Sequence, residues 1–132
     1  MKGLDTNVLV RYLVRDDKEQ AAKASAYIQK VIASGEDCFI NHIVLCELIW
    51  VLESAYGYRK REITSVLEKI LMTKQFEIEL KDTVRQAVNE YASGNVDLAD
   101  CLTGMINHLN GCDVTATFDR SLRSSNNFIV LG

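Results

Sequence analysis

Leu4-Asp5-Thr6-Asn7-Val8-Leu9-Val10 is an apolar stretch that one acid and two polar residues interrupt near the start of the chain. Leu4 and its neighbours predict a very short strand, which places Asp5 at the carboxyl end of that strand. Asp5 can also cap a helix over residues 8–14, a role that short acids perform well. In open α/β sheets, sites form just beyond the carboxyl ends of the strands. Asp5 is therefore the first candidate for a functional residue.

The rest of the chain alternates between predicted strands and predicted helices. Asp16 and Asp17 can cap the next helix, and Gly35 can end it. The alternation predicts an α/β fold with a central, mostly parallel sheet flanked by helices on both faces. The predicted strands are 37–40, 76–80, 113–118 and 128–131, and the predicted helices are 17–34, 44–56, 60–73, 82–93 and 98–110.

Length and composition fit a single domain over residues 1–132, with a hydrophobic fraction of 48% and a charged fraction of 25%. No apolar run approaches the roughly 20 residues that span a bilayer, and Asp5 falls where a signal peptide needs its apolar region. We therefore expect a cytoplasmic protein with no membrane contact. The net charge of −3 argues against a protein that binds DNA through bulk positive charge. It leaves room for an enzyme whose metal ions supply that charge at the phosphate.

The four cysteines lie in apolar surroundings and form no C-x-x-C pair. This spacing argues against a zinc ribbon or a redox motif. We expect four reduced, packed thiols, as in a cytosolic protein. The residues are Cys38, Cys46, Cys101 and Cys112.

Four acids stand inside or directly after apolar runs: Asp5, Glu47, Asp100 and Asp119. An unpartnered buried carboxylate is costly, and no lysine or arginine lies within a helical turn of Glu47 or Asp100. The simplest explanation is that the four acids converge and share a divalent cation. Oxygen ligands without histidine or cysteine select Mg²⁺ or Mn²⁺.

Each acid also has an ordinary structural explanation. Asp100 can favour the dipole of its helix, and Asp119 can be a turn residue or pair with Arg120. Glu47 is the hardest to explain in this way, because its neighbours on both sides are apolar. Asp97 is a good N-cap for the helix that begins at residue 98, and it is also a possible site residue three positions before Asp100. The hypothesis that all four ordinary explanations hold together is the less favoured one.

Four segments resemble the motifs of the PIN-domain family, and within it the VapC-like toxins. They are residues 4–13, 43–52, 97–102 and 117–120, and their order and separation match over the whole chain. The resemblance implies a PIN-like fold in which Asp5, Glu47, Asp100 and Asp119 are the catalytic and metal-binding acids. It also implies an Mg²⁺- or Mn²⁺-dependent ribonuclease that hydrolyses RNA, pairs with an antitoxin protein and forms a homodimer.

Five further residues would support such a site. Thr6 and Asn7 belong to the first motif, and Thr117 matches a hydroxyl position beside the fourth acid; Asp97 and Asn41 complete the group. Where the family often has a small hydroxyl residue before the second acid, this sequence has Asn41-His42. Asn41 can supply the same hydrogen bonding. His42 can either contact phosphate or transfer a proton, or it can be a packed residue, which is the favoured interpretation.

Three other functions fit parts of the pattern. A receiver-like signalling module would need paired acids after the first strand and a lysine at the end of a late strand. A phosphatase with Asp5 as nucleophile would need an acid at position 7, where Asn7 stands. An inactive fold serving as an RNA-binding scaffold is disfavoured by the intact acids. Candidates for phosphate contact, each more often a solvated surface charge, are Arg11, Arg15, Arg59, Lys60, Arg61, Arg120 and Arg123.

Overall fold

The computed structural model describes residues 1–132, and its elements follow the predicted alternation, with ends that differ by one or two residues. The strands are β1 (Lys2–Gly3), β2 (Cys38–Ile40), β3 (Phe76–Ile78), β4 (Thr115–Thr117) and β5 (Phe128–Val130). The helices are α1 (Thr6–Val14), α2 (Lys18–Ala33), α3 (His42–Ser54), α4 (Lys60–Met72), α5 (Lys81–Ser93) and α6 (Leu98–Leu109), and Arg120–Leu122 forms a 3-10 helix.

The chain divides into two compact units, Met1–Lys81 and Asp82–Gly132. In the first unit, β1, β2 and β3 form a parallel sheet in that order, with Lys2 opposite Cys38 and Ile40 opposite Ile78. Parallel strands bring their carboxyl ends to one edge of the sheet. The polar residues that follow the three strands in the first unit therefore share that edge.

Side-chain caps define where three helices of the first unit begin. Asp5 accepts a hydrogen bond from the Val8 backbone N–H at 3.2 Å, which starts α1. Asp17 caps α2 as predicted, and Asn41 accepts from the Val44 N–H at 2.9 Å to start α3. Each cap satisfies a donor that a helix N-terminus otherwise leaves without a partner.

The core of the first unit consists of aliphatic side chains spaced along its helices and strands at the periods that each element requires. Helix α3 is the most apolar helix, and α1 contacts both α2 and α3. The largest fully buried side chains of this unit are Leu9, Ile28, Ile40, Leu45, Leu48, Leu52, Ile63, Leu67, Ile70 and Ile78.

The second unit contains a parallel pair of strands and the helices α5 and α6. Strand β4 pairs with β5, with Ala116 opposite Ile129. Gly104 of α6 faces Phe128 of β5, and a Cβ atom at Gly104 would lie only 2.8 Å from the ring. All strand pairs in the protein are parallel, so the predicted α/β class with parallel pairing is confirmed.

The expectation of four packed thiols is wrong for part of the set. Cys38 and Cys101 are buried, whereas Cys46 is half-buried and Cys112 is exposed. Cys112 lies in the loop after α6, where Gly111 adopts a left-handed backbone conformation, so its apolar sequence neighbours do not enclose it. No helix combines the length and apolarity needed to cross a membrane.

Candidate acidic site

Two of the four predicted acids lie in the first unit. Asp5 follows β1, and its carboxylate caps α1; this capping does not occupy all the lone pairs of the carboxylate. Glu47 lies in the second turn of α3, where the hydroxyl of Thr6 donates a hydrogen bond to Glu47 Oε1 at 2.9 Å. Thr6 is the first residue of α1, so this bond ties the residue after Asp5 to the side chain of Glu47.

The expectation that these acids are buried among apolar neighbours is wrong. The structure buries no charged side chain, and Asp5 and Glu47 are both exposed. The reason for Glu47 is helical periodicity: Val44, Leu45 and Leu48 point into the core, whereas Glu47 shares the exposed face of α3 with Ile43 and Trp50. An exposed carboxylate is open to a cation.

The carboxyl end of β2 leads into a cluster that the sequence did not reveal in full. The Asn41 amide caps α3, and His42 contacts Glu79, the residue directly after β3, through both ring nitrogens. This arrangement supports the interpretation of His42 as a packed residue. Glu79 was not predicted as a site residue, although its position after a strand of the same sheet was an available signal.

The second unit contains the other two acids, at the start of α6 and after β4. Asp100 is half-buried in the first turn of α6. Desolvation raises the pKa of Asp100, and the negative charges of Asp97 and Asp119 raise it further. Asp97 and Asp119 therefore lie close enough to Asp100 for their charges to act on it, as expected of carboxylates that would share a cation.

Asp97 does not form the cap that the sequence favoured. It occupies the N-cap position of α6, but its side chain makes no capping hydrogen bond. Its carboxylate instead contributes negative charge at Asp100. Of the two interpretations for Asp97, the structure therefore supports proximity to the acidic site.

Asp119 is held by hydroxyl and amide donors and not by Arg120, since no salt bridge joins the two. Its Oδ1 accepts hydrogen bonds from the Ser121 N–H at 2.9 Å and the Ser121 hydroxyl at 2.7 Å, and these bonds lower the pKa of Asp119. Thr117 Oγ1 in turn accepts from the Asp119 N–H at 3.0 Å. Asp119 is thus both a turn residue and an ionised carboxylate, and Ser121 is a second residue that the sequence analysis missed.

The donor set fits a hard divalent cation. Within either unit, no three His, Cys, Asp or Glu side chains are arranged to enclose a metal ion. The available ligands are nevertheless carboxylate oxygens without an arginine or lysine partner, and the pKa of Asp100 is raised by desolvation and by the charges of Asp97 and Asp119. Oxygen donors of this kind suit Mg²⁺ or Mn²⁺.

Two of the predicted phosphate contacts are occupied by structural interactions. Arg11 donates to Gln20 at 2.6 Å, to Asp16 at 3.0 Å and to Tyr56 at 3.2 Å, and Arg15 donates to Ser25. Arg120 and Arg123, in contrast, are exposed beside Asp119. They are the better placed cations for an anionic substrate.

A mostly apolar pocket of about 510 Å³ opens beside the first motif. Asp5 and Asn7 line one side of it, and Val8, Ala24 and Tyr27 from α1 and α2 line another. Asn7 is exposed, so its amide is free to meet a ligand. The pocket offers apolar surface directly next to a candidate metal ligand.

Comparison with known proteins identifies the family of the chain. The sequence model of the PIN domain family matches residues 3–125. The chain is also similar to a VapC ribonuclease from Aquifex aeolicus (strain VF5), with 29% identity over 123 residues, which are 93% of this chain and 90% of the relative. The family match includes the positions of all four acids.

Proposed function

The chain belongs to the PIN-domain family, and on that premise we propose that it is a metal-dependent endoribonuclease that hydrolyses RNA phosphodiester bonds. We also propose that it is the toxin of a VapBC-type toxin–antitoxin pair, because its relative is a VapC ribonuclease. The observation that carries the proposal is the continuous match over residues 3–125, which includes Asp5, Glu47, Asp100 and Asp119. Family membership argues against the receiver-like module and the phosphatase.

The proposed ligands are the carboxylates of Asp5, Glu47, Asp100 and Asp119, with Mg²⁺ or Mn²⁺ as the ion. When bound, such an ion polarises the phosphoryl oxygen and lowers the pKa of an attacking water. Thr6 orients Glu47 through its 2.9 Å hydrogen bond. One of these carboxylates would also accept the proton of the attacking water.

Further residues have proposed supporting roles. Thr117 and Ser121 fix the turn that presents Asp119, and Asn41 fixes the start of the helix that carries Glu47. The exposed amide of Asn7 is proposed to contact the RNA, and Asp97 is proposed to strengthen the negative field at Asp100.

The test of activity is cleavage of total cellular RNA by purified, antitoxin-free protein with Mg²⁺ or Mn²⁺ and with EDTA. Asp5→Asn and Asp100→Asn should fold normally and lose more activity than the roughly 10- to 100-fold typical of changes around a metal's ligands. Asp82→Asn is the matched control, since its side chain is 99% exposed. Full activity of Asp100→Asn, or cleavage in EDTA, would contradict the metal role, and a folded but inactive wild type would favour the scaffold alternative.

We propose that an antitoxin protein covers the acidic residues by placing apolar side chains in the pocket beside Asp5 and Asn7. The apolar lining by Val8, Ala24 and Tyr27 supports this. A tagged chain should co-purify with its antitoxin from its native cells, and Tyr27→Glu should weaken that complex. Tyr58→Glu, outside the pocket, should not; equal retention of the antitoxin by both variants would place its binding elsewhere.

We propose a homodimer, which is supported by the apolar side chains that α3 exposes one turn before and one turn after Glu47; in such a dimer Glu47 would lie at the border of the interface. Ile43 is 70% exposed and Trp50, two turns along the same face, is 69% exposed; exposed apolar patches of this kind often mark interfaces. Light scattering of the purified chain should give twice the monomer mass of 14.9 kDa, and Trp50→Glu should give the monomer. A monomeric wild type at micromolar concentration would contradict the proposal.

Two general properties complete the proposed function. The family match crosses the boundary between Lys81 and Asp82, which supports a single domain over residues 1–132. The four cysteines form no disulfide, which suits a reducing compartment and supports a cytoplasmic location.

A further inference from the structure

The residues that follow β2 and β3 form an interaction that the proposed function has not used. His42 is the first residue of α3, and Glu79 is the first residue after β3. His42 Nε2 lies 2.7 Å from the Glu79 backbone oxygen, and His42 Nδ1 lies 3.2 Å from Glu79 Oε1. Both partners are acceptors, so both contacts are hydrogen bonds only when each ring nitrogen carries a proton.

Glu79 also acts as a second cap for α3. Its Oε1 accepts a hydrogen bond from the His42 backbone N–H at 3.1 Å, a donor that the helix itself leaves unsatisfied. A carboxylate at this position is favoured by the positive end of the helix dipole. Asn41 caps the Val44 N–H, so side chains from two different places in the sequence fix the first turn of α3.

The backbone around Glu79 supports its role as a cap of α3. The Glu79 N–H donates to the Ile40 oxygen at 3.0 Å, which continues the β2–β3 ladder by one residue. Leu80, the next residue, has a left-handed backbone with φ of 48°, a conformation that is unfavourable for a residue other than glycine. The contacts of Glu79 with His42 and Ile40 hold the chain at the point where this turn begins.

We propose that His42 and Glu79 are positioning residues that anchor the first turn of α3 to the end of β3 and thereby place Glu47. This inference rests on the proposed function, because it assigns the pair a role through a proposed metal ligand. Glu47 lies five residues after His42 on the same helix, and the Thr6 hydroxyl reaches only one of its oxygens. A displacement of the helix start would therefore move the Glu47 carboxylate, and errors of about 1 Å at a reacting centre cost up to 100-fold in rate.

The kinetic test compares His42→Ala, Glu79→Ala and the double variant with the wild type in RNA cleavage. Each single variant should lower kcat about tenfold, with little change in KM, and the double variant should be no worse than either, because contacting residues are not additive. His42→Gln should recover most of the rate, because its amide can replace Nε2–H as a donor to Glu79. His108→Ala and Glu77→Ala, which alter exposed residues, are the matched controls.

A second measurement does not depend on catalysis. In the metal-free protein, amide exchange at His42 should accelerate about tenfold in Glu79→Ala, and the nitrogen resonance of His42 Nδ1 should shift; Glu77→Ala should cause neither change. Unchanged exchange and an unchanged ring signal in Glu79→Ala would refute the anchor itself. If Glu79→Ala shows the expected changes in exchange and ring signal but kcat of His42→Ala is unchanged, the anchor exists and its proposed link to Glu47 is refuted. Absence of cleavage by the wild type would refute the proposed function, while the exchange data would still decide whether the anchor exists.

Discussion

At the scale of single residues, the hydrogen bond between Thr6 and Glu47 explains why a hydroxyl follows the first acid. Glu47 is exposed on α3, and an exposed glutamate has several rotamers to choose from, so one 2.9 Å hydrogen bond selects among them. Ordering a ligand before the ion binds lowers the entropic cost of binding. Thr6 is therefore more than a residue of the first helical turn.

Replacement of Thr6 by valine tests this role, since valine keeps the shape and removes the hydroxyl. We expect Thr6→Val to weaken apparent Mn²⁺ affinity in RNA cleavage by about tenfold, within the range for residues that orient metal ligands. Thr6→Ser should restore most of the affinity. If Thr6→Val binds Mn²⁺ as the wild type does, Glu47 does not need the hydroxyl for its position.

A second prediction at this scale concerns Asp100. The pKa of Asp100 is raised by desolvation and by the charges of Asp97 and Asp119, so the folded state binds the proton of this group more tightly than the unfolded chain does. Ionised Asp100 is thus unfavourable at neutral pH, and this penalty disappears as the pH falls below the ordinary aspartate value of 3.8.

In EDTA at pH 7, Asp100→Asn should therefore melt at a slightly higher temperature than the wild type. The difference should shrink as the pH falls through the acid range, because both side chains are then neutral. Asp82→Asn should not reproduce the pattern, since the Asp82 side chain is 99% exposed and lies 3.7 Å from Arg85 Nη1. A lower melting temperature of Asp100→Asn at pH 7 would show that neither desolvation nor like-charge repulsion of ionised Asp100 dominates its effect on stability.

At the scale of elements, much of the secondary structure could be predicted, because its signals are local in the sequence. Asp17 before an amphipathic run and Gly35 after it predicted α2 correctly. The predicted ends of β1 and β4 correctly located Asp5 and Asp119. The start of α3 was predicted at residue 44, but the helix begins at His42. The His42 backbone N–H donates a hydrogen bond to the Glu79 side chain, which is 37 residues away in sequence. A local sequence pattern does not show such a contact.

Gly104 shows how closely α6 and β5 pack. A Cβ atom at this position would lie 2.8 Å from Phe128 Cε2 and 3.0 Å from Asn127 Cβ. Overpacking of this kind costs about 1–3 kcal/mol, whereas alanine gains only about 1 kcal/mol over glycine in helix propensity. The helix therefore keeps a poor helix former in order to approach the strand.

We expect Gly104→Ala to lower the free energy of unfolding by about 1 kcal/mol and Gly104→Val to lower it by more, since the clash grows and propensity falls. Urea unfolding followed by circular dichroism measures both values. The control is Gly3→Ala, where the new Cβ would have no neighbour within 4 Å. A Gly104→Ala variant more stable than the wild type would mean that Phe128 yields without cost.

At the scale of the whole molecule, acidic residues outnumber basic ones, so the positive charge that meets an RNA backbone would have to come from a bound metal ion. The net charge is −3, and an RNA backbone would be repelled by Asp5, Glu47, Asp97, Asp100 and Asp119 without a cation. The exposure of Asp5, Glu47 and Asp119 was not predicted, because the surrounding apolar runs suggested burial. Because these three acids are exposed, the cost of burying a carboxylate does not argue for a metal at their positions. The physical support lies at Asp100, whose pKa is raised by desolvation and by the charges of Asp97 and Asp119.

Metal binding should consequently stabilise the entire fold. Mg²⁺ or Mn²⁺ that binds only the folded state raises stability by about 2.7 kcal/mol at a hundredfold excess over Kd, and it also removes repulsion among the acids. Mn²⁺ should act at lower concentration than Mg²⁺, because Mg²⁺ gives up its hydration water reluctantly. The measurement is the melting temperature of antitoxin-free protein as a function of ion concentration.

The same titration on variants separates a specific site from general screening of a negative surface. Glu47→Gln and Asp100→Asn should lose most of the rise in Tm, whereas Glu53→Gln, which alters another exposed acid of α3, should keep it. Screening would instead reduce the effect equally in all three variants and would be reproduced by NaCl of equal ionic strength. A Tm that responds to neither ion at millimolar concentration would remove the carboxylates from their proposed role, because ligands that gain nothing from the ion cannot hold it for catalysis.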